Sequence, residues 1–290
     1  SKHWETLMQV ESFIEERPDS ALTVLQGMDK EALSGKEEEA KHALLLSMAL
    51  DKNVIDRTDF EVLQPAIDYY QNHGTATDKL RTHYYEGRIY QNAGQGDLAM
   101  KSFIKAREVE GPITDTLTLG NLLVAQATYY YSTYKVKEFI ANNQQAARLY
   151  EAIGHSYYQF RSLLNTLDGS ILNNDKPLAD SILTCCRSEI EKHPDYEASL
   201  LSYILSYTIT FGSDEEIRTA IESCLDKKNL SRNAKLKMAL GYSKIGEAEK
   251  ALQIFTEASP SNSLSYLAIQ MQVLKSNGKY KDALDAYQSY

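Results

Sequence analysis

Six histidines and three cysteines are the side chains of this 290-residue sequence best equipped to hold a metal or attack a substrate. Their spacing suits neither task. His3, His42, His73, His83, His155 and His193 are scattered. None forms His-Glu-x-x-His, which would set two imidazoles on one helical face, and none pairs with a cysteine at a ligand spacing. Cys185 and Cys186 are adjacent, and neighbours on a helix point about 100° apart, so a bridge between them is disfavoured and all three thiols are expected reduced. Gly94-Gln95-Gly96-Asp97 is too short for a phosphate loop and follows a helical stretch rather than a strand. The carboxylates fall on expected solvent faces, with no pair in a pocket motif. The expectation is therefore no catalytic residue, no metal and no cofactor, and a protein that is not an enzyme.

Tyrosine is the residue type whose abundance asks for another use. There are 20, and Tyr129, Tyr130 and Tyr131 are consecutive, with Tyr134 close behind. Tyrosine offers apolar area with a hydroxyl at its end, which suits contact surfaces. Three in a row cannot all face one side of a helix, so at least one reaches a groove or solvent. Tyr130 and Tyr131 are candidates for contact with a partner.

The elements that would position such residues follow from the stretch 84–106. His83, Gly87 and Tyr90 step by four and three and so share one helical face. Gly94 then stops that helix. Ala99, Phe103 and Ala106 step by four and three again on a second helix. Small residues at 87, 99 and 106 allow close approach, and Tyr90 and Phe103 fill the space around them. The same triple recurs as Ala21/Leu25/Met28, Ala66/Tyr70/His73, Ala146/Tyr150/Ile153, Ala179/Leu183/Cys186, Ile217/Ile221/Cys224, Ala251/Phe255/Ala258 and Ala283/Tyr287/Tyr290. His73, His83, Cys186 and Cys224 thereby acquire packing roles, the thiols as small hydrophobes. Five residues before the leading position stand Gly94, Asn174, Gly212, Gly246 and Gly278, residue types that tolerate a left-handed turn. Successive triples begin 45, 33, 47, 33, 38, 34 and 32 residues apart. The two long spacings imply longer helices or loops around 51–60 and 132–138.

A small and aromatic pattern with a period near 34 resembles the tetratricopeptide repeat, a helix–turn–helix unit, over nearly the whole chain, though the tryptophan of that repeat is missing. The resemblance implies an all-α, right-handed superhelical solenoid of about eight helical hairpins forming one domain over 1–290. Its units are expected at 4–30, 37–73, 79–108, 116–154, 160–192, 196–226, 232–259 and 263–290. In this family first helices line the concave groove. Counted from Gly87, the groove positions of the third unit are Arg81, Tyr84, Arg88, Gln91 and Asn92, a strip suited to a protein or peptide partner. The carboxylate clamp of the chaperone-tail class needs asparagines where Tyr85 and Arg88 stand, so that variant of binding is not expected.

Residues 16–53, opening on Arg17-Pro18-Asp19-Ser20-Ala21-Leu22, look like the start of a group of bacterial envelope proteins. In that group a lipoprotein or signal segment precedes a repeat array, and a membrane span with a regulatory tail follows. The resemblance implies a periplasmic or cell-envelope sensor or assembly scaffold in signal transduction. The alternative is a cytoplasmic repeat module of a transcriptional regulator whose output domain lies outside this chain. A net charge of −9 without a basic stripe argues against nucleic acid. No apolar run is long enough for a membrane span within 1–290.

Helix starts agree with the pattern. Ser34 with Glu37 and Ser213 with Glu216 read as capping boxes. Pro18 and Pro177 suit first turns, and Glu37–Glu39 complement a helix dipole. The sequence starts at Ser1, and its last unit would close on Tyr287 and Tyr290 with apolar surface showing. The polypeptide is therefore expected to continue past 290, into a capping helix or toward a membrane tether.

Overall fold

Helices form where the apolar residues recur at three and four. The computed structural model describes residues 1–289. Among them are sixteen α-helices and no strand, in two compact units, Ser1–Ser162 and Leu163–Tyr290. The first unit holds α1 (Lys2–Phe13), α2 (Pro18–Gly27), α3 (Gly35–Lys52), α4 (Gln64–Tyr70), α5 (Ala76–Asn92), α6 (Gly96–Arg107), α7 (Thr116–Ser132), α8 (Val136–Ala152) and the start of α9 (Ser156–Leu172). Each of the first eight helices packs on its partner in a pair, and α3, α5 and α7 also lie side by side. The second unit contains α10 (Lys176–Lys192), α11 (Glu197–Phe211), α12 (Asp214–Leu225), α13 (Arg232–Lys244), α14 (Ala248–Glu257), α15 (Leu264–Ser276) and α16 (Tyr280–Ser289). There α11, α13 and α15 lie side by side, with α12, α14 and α16 as their partners. This is solenoid-like packing within each unit. No helix among the described residues is long and apolar enough to cross a membrane.

The opening hairpin is packed as its spacing requires. Ala99, Phe103 and Ala106 are fully buried. A β-carbon on Gly87 would lie 2.2 Å from the Phe103 ring, so only glycine lets α5 approach α6 this closely. Gly120 repeats the device on α7, where a β-carbon would meet Tyr150 at 2.7 Å. Ala21 and Leu25, Ala66 and Tyr70, Ala146 and Tyr150, and all of Ala179/Leu183/Cys186, Ile217/Ile221/Cys224 and Ala251/Phe255/Ala258 are buried as well. The three cysteines are free, Cys185 exposed and the other two buried. Burial pushes the Cys186 thiol up to about 12.

Several positions depart from the pattern. His73 is exposed, because α4 ends at Tyr70 and the imidazole stacks on Tyr69 at 4.6 Å. Ile153 lies beyond the last residue of α8 and is exposed. Tyr287 is exposed because the buried positions of α16 are Ala283 and Ala286, one residue from the expected register; Tyr290 lies outside the described residues. Gly94, Asn174, Gly246 and Gly278 take the left-handed turn, but Gly212 is extended at φ −92°. Its need for glycine is steric, since a β-carbon would meet the Thr208 carbonyl at 2.7 Å. Val54 and Tyr134 adopt positive φ at the corresponding turns without glycine's freedom.

Caps follow the same mixture. Ser213 and Glu216 form their box, whereas Ser34 offers no side-chain cap and its N–H donates to Glu38 at 2.7 Å. Glu38, one residue further from the helix end than Glu37, has the reach. Thr75 and Asp78 form a second box that the sequence pattern did not single out.

Gly87→Ala is expected to lower stability by about 1–3 kcal/mol through overpacking, read as a lower urea midpoint at unchanged slope. An unchanged midpoint would mean that α5 and α6 are further apart than described.

Candidate functional site

Helix α5 carries five of the seven residues singled out as partner-binding, and its two halves treat them differently. The N-terminal half belongs to a chain of buried charges. Lys41 on α3 donates to Asp78 at 2.7 Å and to Glu11 on α1 at 3.1 Å. Arg81 donates to the same Glu11 carboxylate at 3.0 Å and to Asp115, the N-cap of α7, at 2.6 Å. The Arg81 side chain is only 12% exposed. Thr75 and Thr118 donate their hydroxyls to the two end carboxylates, Asp78 and Asp115. Burial disfavours the charged forms of Asp78 and Asp115. For Asp78 the Lys41 ammonium and Thr75 outweigh burial, for Asp115 the Arg81 guanidinium and Thr118, and both carboxyls are held below the ordinary range. Burial likewise opposes charge on Arg81, but Asp115 and Glu11 win and raise it. Tyr84, one turn on, is buried with its ring 6.0 Å from Phe103, and burial raises its phenol far above the usual value.

The C-terminal half stays accessible. Arg88 donates to Asp51 on α3 at 3.2 Å and to Gln91 at 2.7 Å. Its side chain is 29% exposed and that of Asp51 is 21%. Gln91 donates to the Ala125 carbonyl of α7 at 3.4 Å, and Asn92 to the Arg57 carbonyl at 3.0 Å. The fold thus brings Arg88, Gln91 and Asn92 together with Asp51. Tyr130 and Tyr131 end α7. Tyr130 is half-buried against Tyr129 at 6.4 Å, and Tyr131 is 47% exposed with its ring 5.0 Å from Phe139.

Beside Arg88 lies a cleft between α3, α5 and the connection from α3 to α4. Its free volume is about 20 Å³, room for roughly one water. Leu50, Tyr85, Ile89, Ile55 and Val62 give it an apolar lining, and Asp51, Arg88 and Asn92 a polar rim. Ser47 also lines it, and its hydroxyl oxygen is buried without a hydrogen-bond partner. An unpaired buried hydroxyl is costly, so this atom is a vacant polar anchor in an otherwise apolar wall. Sequence reasoning expected extra length around 51–60, and the connection at 53–63 supplies it; it missed Ser47 and Asp51 and that the connection folds against α5. In the second unit an open groove of about 620 Å³ between α12, α13 and α14 has an apolar floor that includes Leu230, Met238 and Tyr242. Its rim mixes Lys227 and Lys235 with Glu222 and Glu257.

No group of histidine, cysteine and carboxylate side chains that could hold a metal occurs among the described residues. No protein-family model matches the chain. Nor does any curated protein sequence match it.

Asp115→Ala leaves the Arg81 guanidinium with Glu11 as its one carboxylate and removes the N-cap of α7; it is expected to cost up to about 3–5 kcal/mol, read by urea unfolding at pH 7. Because the folded pKa values of Asp78 and Asp115 are depressed, their stabilisation is present above the ordinary carboxylate range. It is lost as pH falls through the folded values. The unfolding midpoint should therefore drop below about pH 4, and drop less steeply in Asp115→Ala. Parallel pH curves would mean that the network does not titrate with unfolding.

Proposed function

We propose that this chain is a non-catalytic helical-repeat scaffold of the tetratricopeptide kind, which binds a protein or peptide partner on its first-helix face around Arg88, Gln91 and Asn92. The observation that carries the reading is the sequence separation of the bonds between first helices. Lys41–Asp78 and Arg88–Asp51 span 37 residues, and Arg81–Asp115 and Gln91–Ala125 span 34. In the second unit Lys244 donates to the Ile209 carbonyl across 35. Bonds of one recurring span between neighbouring helices are what a stack of equivalent hairpins near 34 residues produces. Such stacks present a row of first-helix side chains to an extended partner.

The resemblance of residues 16–53 to envelope proteins supports reading the scaffold as the extracytoplasmic sensor or assembly part of a membrane-tethered protein of the bacterial periplasm or cell envelope. Arg81 is excluded from the contact set, since its guanidinium is committed to Glu11 and Asp115.

A partner recovered on the immobilised chain is expected to bind at least about tenfold more weakly, or by about 1.4 kcal/mol, to Arg88→Glu/Gln91→Ala. The thermal midpoint of that variant should stay within a few degrees of wild type. Equal affinity for both proteins would remove this face from the function.

A further inference from the structure

The connection between α3 and α4 is out of proportion to the others. It runs over residues 53–63, whereas the second-helix turns at 93–95, 133–135, 245–247 and 277–279 need three residues each. Closing the hairpin does not require the extra length. What the added residues do is lie against the face of α5 assigned above to a partner. The Arg57 carbonyl accepts from Asn92. Phe60 packs edge-on against Tyr90 with ring centroids 4.9 Å apart. Ile55 and Val62 line the Ser47 cleft beside Arg88 and Ile89.

The hold is light. Residues 55–58 have no helix or turn, and Arg57 pairs only with the nearby and largely exposed Asp59 and Glu61. Val54 and Ile55 are 81% and 45% exposed, and Val54 takes a left-handed backbone that a β-branched residue resists. The buried Ser47 hydroxyl beneath gains no bond from the segment.

We propose that residues 54–62 are an in-cis ligand of the cleft between α3 and α5, and that the partner is an extended peptide segment of the same chemistry which displaces them. That segment supplies a backbone carbonyl to Asn92 and aliphatic side chains to the wall formed by Leu50, Tyr85 and Ile89. It also offers a carboxylate to Arg88 and a polar group to the Ser47 oxygen. This deepens the groove reading above and rests on it. A groove free only about a tenth of the time binds about tenfold more weakly than an open one, so the segment sets an affinity threshold for partners.

The probe is the segment itself, a fluorescein-labelled peptide Val-Ile-Asp-Arg-Thr-Asp-Phe-Glu-Val-Leu copied from residues 54–63. Its binding is followed by anisotropy against the whole chain and against a chain in which 54–62 is replaced by Ala-Gly-Gln, the sequence of the 93–95 turn. The shortened chain is expected to bind it at least about tenfold more tightly than the intact chain. A scrambled peptide should bind neither, and Asn92→Ala in the shortened chain should weaken binding. Should the shortened chain not fold by circular dichroism, Phe60→Ala in the full-length connection is the second variant. It releases the contact with Tyr90 and is expected to raise affinity for the peptide several-fold. Equal affinity of the peptide for intact and opened chains, or no binding to either, overturns the proposal. The two readings fail separately. If a captured partner is lost in Arg88→Glu/Gln91→Ala while the peptide never binds, the face is functional and the in-cis ligand is not. If the peptide binds the opened chain but the partner ignores Arg88, the in-cis contact stands and the wider reading falls.

Discussion

Five charged side chains in one line, Asp78, Lys41, Glu11, Arg81 and Asp115, decide how the first helices of the first unit sit against one another. Four of the five are largely withdrawn from water, Glu11 only in part, and each has its counter-charge at hydrogen-bond distance. Such a chain adds little net stability over a well-packed apolar replacement. Its effect is on register. A slide of α5 by one turn against α3 or α7 would take Asp78 from Lys41 or the Arg81 counter-charge from Asp115, a heavier cost than a change in apolar contact. With α5 fixed this way, Gly87 lands opposite Phe103, and Arg88 lands opposite Asp51.

The apolar half of this arrangement was legible in the sequence. Glycine and alanine at 87, 99 and 106 can only mean close helices, and helix packing leaves a periodic trace because each turn buries the same face. Legibility failed where a helix stopped. His73 and Ile153 hold positions that would be core if α4 and α8 ran one turn longer, and the local signal against that is the glycine after each, Gly74 and Gly154, both left-handed. The polar half left almost no trace. Arg81 and Arg88 are seven residues apart on one face and look alike in the sequence, yet one is buried and the other accessible. What separates them is the residue opposite, 34 or 37 positions away, and a single sequence does not display which residues face each other. The connection at 53–63 was flagged only through the long spacing around it; that it folds back on α5 depends on Asn92 and Tyr90, well outside its own sequence.

The difference between the two arginines also explains why the binding face falls at the C-terminal half of α5. Arg81 meets two carboxylates in a water-poor setting, and losing either one leaves its largely buried charge less well compensated. Arg88 makes a single ion pair, with Asp51, and both side chains keep some contact with water. Arg88 can therefore exchange Asp51 for a carboxylate on an incoming segment at small cost, and Asp51 can return to water. The amides of Gln91 and Asn92 are in a similar position: each donates a single bond to a backbone carbonyl, which a ligand carbonyl can replace atom for atom. A face built from such replaceable bonds can be covered by a piece of its own chain and uncovered again without disturbing the hairpins beneath. That separation, irreplaceable pairs at one end of a helix and exchangeable ones at the other, lets one rigid element position a site while its occupant changes.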